Sequence, residues 1–117
     1  MFGLFKKTSP EEKQKLDKFE KVLSEFHMVN RFSYRKNGVY EVVFDENIGS
    51  LTDPENQAKF HLLANAWMVI WDSDKAELHV GTTNRIGYRI EIDAAKLYIG
   101  HKYQDHDKML NDLISRA

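Results

Sequence analysis

The sequence predicts an α+β fold, in which one domain combines a mainly antiparallel sheet with helices at the amino terminus, the centre and the carboxy terminus. Three observations support this prediction: apolar residues at three- and four-residue steps after Pro10, an Asn37-Gly38 turn between β-like segments, and alternation through 86–92. The 117 residues include seven Phe, five Tyr and two Trp, enough for one ordinary core. We expect residues 9–117 to form this domain, after a short flexible segment at 1–8.

The first helix is predicted by its start signal and by its apolar stripe. Ser9 supplies a hydroxyl N-cap, Pro10 stands at the first helical position, and Glu12 occupies the capping-box position. The apolar side chains that follow at helical spacing are Leu16, Phe19, Val22, Leu23 and Phe26. We therefore expect a helix from about Pro10 to His27.

A β-hairpin is predicted around Asn37-Gly38. Both residues tolerate the positive φ that a type I′ turn requires at its two central positions. The flanking segments, Val29–Lys36 and Val39–Phe44, are rich in aromatic and β-branched residues. The hairpin is expected to end at the polar loop that begins with Asp45.

The next segment starts as a helix and then becomes ambiguous. Asp53 followed by Pro54 is a second helix-start signal, and the helical pattern continues to about Asn65. Ala66–Trp71 continues the apolar stripe of a helix, but it also fits a central strand that is apolar on both faces. The turn-rich residues 72–75 and the β-like residues 77–80 favour the strand and a second hairpin.

The last third of the chain is predicted to complete the sheet and to end in a helix. Ile86–Ile92 alternates apolar and polar residues, as a half-buried antiparallel strand does. A shorter strand is expected at Lys96–Ile99, and a closing helix from about Asp105. The predicted order is α-β-β-α-β-β-β-β-α, with about five to six strands in a meandering sheet.

Composition and missing motifs exclude several classes of function. The chain has no cysteine, which excludes a disulfide scaffold, a zinc ribbon and a thiol nucleophile. Its net charge of −1 argues against a dedicated nucleic-acid-binding protein. It contains no glycine-rich phosphate loop, nucleophile elbow or H-E-x-x-H pair. Since no signal peptide or membrane-length apolar run is present, we expect a cytoplasmic protein. The lack of catalytic motifs favours a non-enzymatic protein without a cofactor.

Charge is distributed unevenly along the chain. Residues 1–36 contain nine Lys+Arg and five Asp+Glu, whereas residues 37–117 contain eight and thirteen, with the acidic residues concentrated at turns. Acidic loops can attract a basic partner and raise its association rate, although solubility and protection against pairing of sheet edges are the more common reasons for them. The leading hypothesis is an inhibitor or immunity-type protein that covers a basic partner. The expected contact residues are Asp45, Glu46, Asp72 and Asp74, with Trp71 and Tyr40 as apolar anchors if they are exposed.

The histidines suggest a second hypothesis, a small histidine-using enzyme or a metal-binding protein. His101, Asp105 and His106 are weak candidates for metal ligands, although their spacing is more typical of a polar approach to a helix. If the strands that contain His79 and Asp93 pair, an imidazole and a carboxylate could come within hydrogen-bond reach, although a solvent-facing His79 on an alternating strand is the favoured interpretation. That arrangement is the minimum for a general base with an orienting acid.

The amino-terminal segment suggests a third hypothesis, a membrane-proximal accessory protein. Three apolar side chains stand beside two lysines there, as in a small interfacial membrane anchor. The residues concerned are Phe2, Leu4, Phe5, Lys6 and Lys7. Three apolar side chains make a marginal anchor, so a frayed terminus is the favoured interpretation.

Overall fold

The structure is a computed structural model that describes residues 9–98, and it confirms the α+β class. These residues form three α-helices, one 3-10 turn at Glu46–Ile48 and a four-stranded mixed sheet. In chain order the main elements are α1 (Pro10–Ser24), β1 (Val29–Lys36), β2 (Val39–Phe44), α2 (Pro54–Trp71), β3 (Glu77–Thr82), β4 (Ile90–Asp93) and α3 (Ala94–Tyr98). Among the described helices, none is long and apolar enough to cross a membrane.

The capping box predicted for α1 is present. The Ser9 side chain accepts a hydrogen bond from the Glu12 amide at 3.1 Å, and the Ser9 amide donates to the Glu12 carboxylate at 3.3 Å. The helix ends at Ser24, three residues before the predicted His27. A short turn follows, in which Met28 takes a positive φ of 68°, and β1 begins at the next residue.

The predicted hairpin turn is confirmed. Asn37 and Gly38 have φ values of 53° and 83°, and β1 pairs antiparallel with β2. The turn is also tied to the rest of the domain, because the Gly38 carbonyl accepts from Trp67 Nε1 at 2.8 Å and from the Glu77 amide at 3.0 Å. Gly38 therefore joins the hairpin to α2 and to β3.

The prediction of a strand at Ala66–Trp71 is wrong, because α2 continues without interruption to Trp71. The Trp67 and Trp71 rings stack four residues apart, with centroids 5.1 Å from each other. This part of α2 is apolar on most sides because it packs against the sheet and against other helices. The helix ends where Asp72 adopts a left-handed φ of 56°.

The sheet is mixed, and not mainly antiparallel as predicted, because α2 connects β2 to β3. The strand order is β1-β2-β3-β4, and β2 pairs parallel with β3, while the two outer pairs are antiparallel. A parallel pair needs a long crossover connection, and α2 provides it.

Two predicted strands near residue 90 also differ from the structure. The strand predicted at Ile86–Ile92 is shortened to Ile90–Asp93, because the preceding residues form a turn in which Gly87 has a φ of 85°. The strand predicted at Lys96–Ile99 is replaced over its described residues by α3, whose Lys96 amide donates to the Asp93 carboxylate at 3.0 Å. Residues 9–98 therefore contain four strands, and the closing helix predicted from about Asp105 lies outside the described residues.

One face of the sheet packs against the helices, and the other carries its charged residues. Alternate residues of β2 and β3 point toward the helices and are buried: Tyr40, Val42, Phe44, Leu78 and Val80. The residues between them point to the opposite face, which we call the open face. The open face therefore displays the polar residues of β2, β3 and β4, and the candidate site lies there.

Candidate functional site

A row of ionisable residues crosses the open face. Glu41 on β2 is in register with His79 on β3, and His79 is in register with Glu91 on β4. Residues in register on neighbouring strands place their side chains side by side on the same face. The sheet thus aligns carboxylate, imidazole and carboxylate across three strands.

Arginine side chains neutralise the first carboxylate of this row. Arg89 Nε donates a short hydrogen bond to Glu41, and Arg35 Nη1 lies 3.4 Å from the other Glu41 oxygen. The hydrogen bond from Arg89, supported by the positive charges of Arg89, Arg35 and Arg31, lowers the pKa of Glu41 against the opposing effect of burial. Glu41 is therefore ionised at neutral pH and already paired.

Gly81 allows the Arg89 side chain to lie across β3. A Cβ atom added to Gly81 would stand 2.8 Å from Arg89 Nη1 and 3.1 Å from the Tyr88 carbonyl oxygen. Because real Cβ contacts are longer, any other residue at this position would displace the arginine or the loop. Gly81 thus leaves room for the flexible Arg89 side chain to reach Glu41.

Beside this pair lies a cluster of three metal-ligating side chains, Glu77, His79 and Glu91, which we call the histidine cluster. Glu77 and His79 are two residues apart on β3, and the Glu77 carboxylate is hydrogen-bonded to His79 Nε2. One ligand atom from each of the three residues lies within 4.8 Å of the others. Within residues 9–98, no lysine or arginine forms an ion pair with Glu77 or Glu91.

The two glutamates of the histidine cluster belong to a larger group of carboxylates, which we call the acidic corner. Glu77 begins β3 and is in register with Asp93, which ends β4. The loop that leads into β3 contributes two further exposed aspartates. The acidic corner consists of Asp72, Asp74, Glu77, Glu91 and Asp93. Lys75 and Lys96, both exposed, lie next to it in the chain and offset part of its charge.

The second acidic loop predicted from the sequence lies elsewhere. Asp45 and Glu46 follow the end of β2, and the Glu46 amide donates to Thr83 Oγ1 at 3.1 Å beyond the end of β3. Asp72 and Asp74 precede the start of β3. Because β2 and β3 run parallel, their six residues separate the two loops by roughly 17 Å. The structure does not bring the two predicted acidic loops together.

The two predicted apolar anchors differ in accessibility. Tyr40 is 1% exposed and packs against Trp67, and burial raises the pKa of its hydroxyl. A partner therefore cannot reach Tyr40 in the folded domain. Trp71 is only partly buried; it lies next to Asp72 and beneath Lys15, whose Nζ is 5.5 Å from the ring centroid.

Sequence reasoning found one member of the histidine cluster and missed two. The strands of His79 and Asp93 do pair, but the residue opposite His79 is Glu91, and Asp93 faces Glu77. The Glu77-x-His79 spacing placed both side chains on one face of a strand and could have been used. The register with β4 has no signal in the sequence.

The other predicted site residues lie outside residues 9–98. They are the candidate metal ligands His101, Asp105 and His106, and the candidate membrane-contact residues Phe2, Leu4, Phe5, Lys6 and Lys7.

Comparisons of the chain with protein-family models, with curated proteins and with solved structures find no match. Its function is therefore inferred from the geometry of the open face.

Proposed function

We propose that this domain is a non-enzymatic protein-binding module, of the inhibitor or immunity type, that covers a basic partner with its acidic corner. The observation behind the proposal is that three acidic segments of the chain lie at or beside the start of β3, since the loop with Asp72 and Asp74 leads into Glu77, and Asp93 is in register with Glu77. These segments are the α2–β3 loop, the start of β3 and the end of β4. Charges gathered in this way accelerate the approach of an oppositely charged protein and orient it.

Trp71 is the candidate anchor for this interaction. Its indole is partly exposed at the end of α2 and directly precedes Asp72. Tryptophan is enriched among the few interface residues that contribute most of the binding free energy, whereas charges at the rim act mainly on the association rate. Trp71 would therefore supply most of the binding free energy, and the acidic corner would attract and orient the basic partner. Tyr40 has no part in it, because its ring is buried.

Asp45 and Glu46 are excluded from this surface by their position. They lie at the opposite end of β2 and β3, and the Asp45 carboxylate accepts from the Asn47 amide at 2.9 Å as a local cap. This pair has the same formal charge as Asp72 and Asp74. It therefore provides a control that is matched in charge and differs only in location.

We expect Asp72→Asn/Asp74→Asn to weaken capture of a basic partner by roughly fivefold at low salt, since each exposed ion pair contributes up to about 1 kcal/mol. Asparagine suits position 72 because it tolerates the left-handed backbone found there. The measurement is affinity capture from extract of the native host by the immobilised wild-type chain and by the variant. Captured proteins are identified and quantified by mass spectrometry.

The control variant is Asp45→Asn/Glu46→Gln, which removes the same charge and retains an acceptor for the Asn47 amide. This variant should capture the partner as well as the wild type does, and raising the salt to about 0.5 M should weaken capture by the wild type. Equal losses in the two variants would show that only net charge matters. That result, or the absence of any basic partner, would refute the proposal.

A further inference from the structure

We propose that the histidine cluster, Glu77, His79 and Glu91, is a binding site for a divalent transition-metal ion, with Zn²⁺ as the best match. The proposal goes beyond the protein-binding function and does not depend on it. It rests on the types of ligand present, on their spacing and on the charges that surround them.

The ligand set suits zinc. One imidazole nitrogen and two carboxylate oxygens are ordinary zinc ligands, with bond lengths of about 2.0–2.2 Å. Two atoms bound to the same ion at tetrahedral angles therefore lie about 3.3–3.6 Å apart. The three candidate ligand atoms are already within 4.8 Å of one another. Small rotations of the flexible glutamate side chains would close the remaining gap.

The sheet holds the three residues in a fixed arrangement. Glu77 and His79 lie two residues apart on β3, which is paired on both sides, and Glu91 lies directly opposite His79 on β4. The His79 side chain is 22% exposed and that of Glu77 is 37% exposed, so solvent still reaches both. Ligands on paired strands lose little freedom when an ion binds, and the partial exposure leaves a path for the ion to enter.

Neighbouring charges favour a cation at this point and not at Glu41. The arginines closest to the row, Arg89 and Arg35, are both engaged with Glu41. Within residues 9–98, Glu77 and Glu91 form no ion pair with a lysine or arginine, and Glu77 is paired with His79 instead. A divalent cation would balance both carboxylates at once.

Binding would replace the hydrogen bond between Glu77 and His79. The ion would take the lone pair of His79 Nε2; the proton would move to Nδ1 of a neutral imidazole, or be released to solvent by a protonated one. Three protein ligands would leave at least one coordination position for water.

The test uses the full chain, with Zn²⁺ titrated calorimetrically and Co²⁺ titrated by visible absorption, which reports the coordination of the ion. We expect one ion per chain. Both His79→Gln and Glu91→Gln should weaken binding by at least about tenfold. Glu91 is exposed, so its variant decides the question even if the His79 variant misfolds. Circular dichroism verifies folding of each variant.

The matched control is His61→Gln, since His61 is an exposed histidine on α2, away from the open face. This variant should bind both ions as tightly as the wild type does. Failure to bind either ion at up to about 1 mM would overturn the proposal. Binding that is unchanged in His79→Gln and Glu91→Gln would also overturn it, by placing the ion at other histidines of the chain.

Discussion

Replacing Gly38 by valine should lower the free energy of unfolding by about 3 kcal/mol. Gly38 has a φ of 83°, a conformation that costs a β-branched residue about 1–2 kcal/mol. A Cβ atom there would also stand 2.8 Å from the Lys75 carbonyl oxygen and 3.1 Å from Trp71 Nε1. Since the nearest obstacle is backbone, the α2–β3 loop itself would have to move. Urea denaturation followed by far-ultraviolet circular dichroism measures the loss.

The control for this variant is Asn37→Gly at the neighbouring turn position. Asn37 also has a positive φ, of 53°, which glycine adopts without strain. We expect the stability of this variant to stay within about 0.5 kcal/mol of the wild type. If Gly38→Val unfolded at the wild-type urea concentration, neither the type I′ turn nor the close approach of Lys75 would hold.

Trp67→Ala should be the most destabilising single substitution in the core, at about 4 kcal/mol. Trp67 is fully buried, and its ring centroid lies 4.9 Å from that of Tyr40 and 5.0 Å from that of Phe19. Its Nε1 also donates to the Gly38 carbonyl at 2.8 Å. The substitution would open a cavity between α1, α2 and β2, and it would remove a link to the hairpin turn. The same denaturation experiment applies, because far-ultraviolet circular dichroism follows mainly the peptide backbone and an unfolding midpoint can be measured without this tryptophan.

Trp67→Phe separates these two effects. Phenylalanine keeps most of the ring packing but cannot donate to the Gly38 carbonyl, so a loss of about 2 kcal/mol is expected. Gly38 would retain the hydrogen bond from the Glu77 amide. A loss below about 1 kcal/mol for Trp67→Ala would mean that Trp67 does not occupy the centre of the core.

Features encoded by a few adjacent residues could be predicted from the sequence. The capping box depends on the Ser9 and Glu12 side chains, which bond to the backbone three residues away. The Asn37-Gly38 turn depends on two adjacent residues that tolerate a positive φ. Such interactions do not need the rest of the fold. The starts of α1 and α2 and the first hairpin were therefore predicted correctly.

Features decided by tertiary packing could not be predicted. Ala66–Trp71 is apolar enough for a central strand, and only its burial against the sheet and other helices makes it the end of α2. That helix makes β2 and β3 parallel, which sends the two acidic loops to opposite ends of the sheet. The histidine cluster likewise depends on the register between β3 and β4, which residue types alone do not define.

The most direct test of the proposed function is a chemical-shift map of the ¹⁵N-labelled chain, recorded as the captured basic partner is added. The largest changes should fall on the amides of residues 72–77 and 91–93 and on the indole of Trp71, which together form the acidic corner and its anchor. The amides of Asp45 and Glu46, at the far end of the parallel strands, should change little. Changes centred on Asp45 and Glu46, with the acidic corner unaffected, would contradict the proposal.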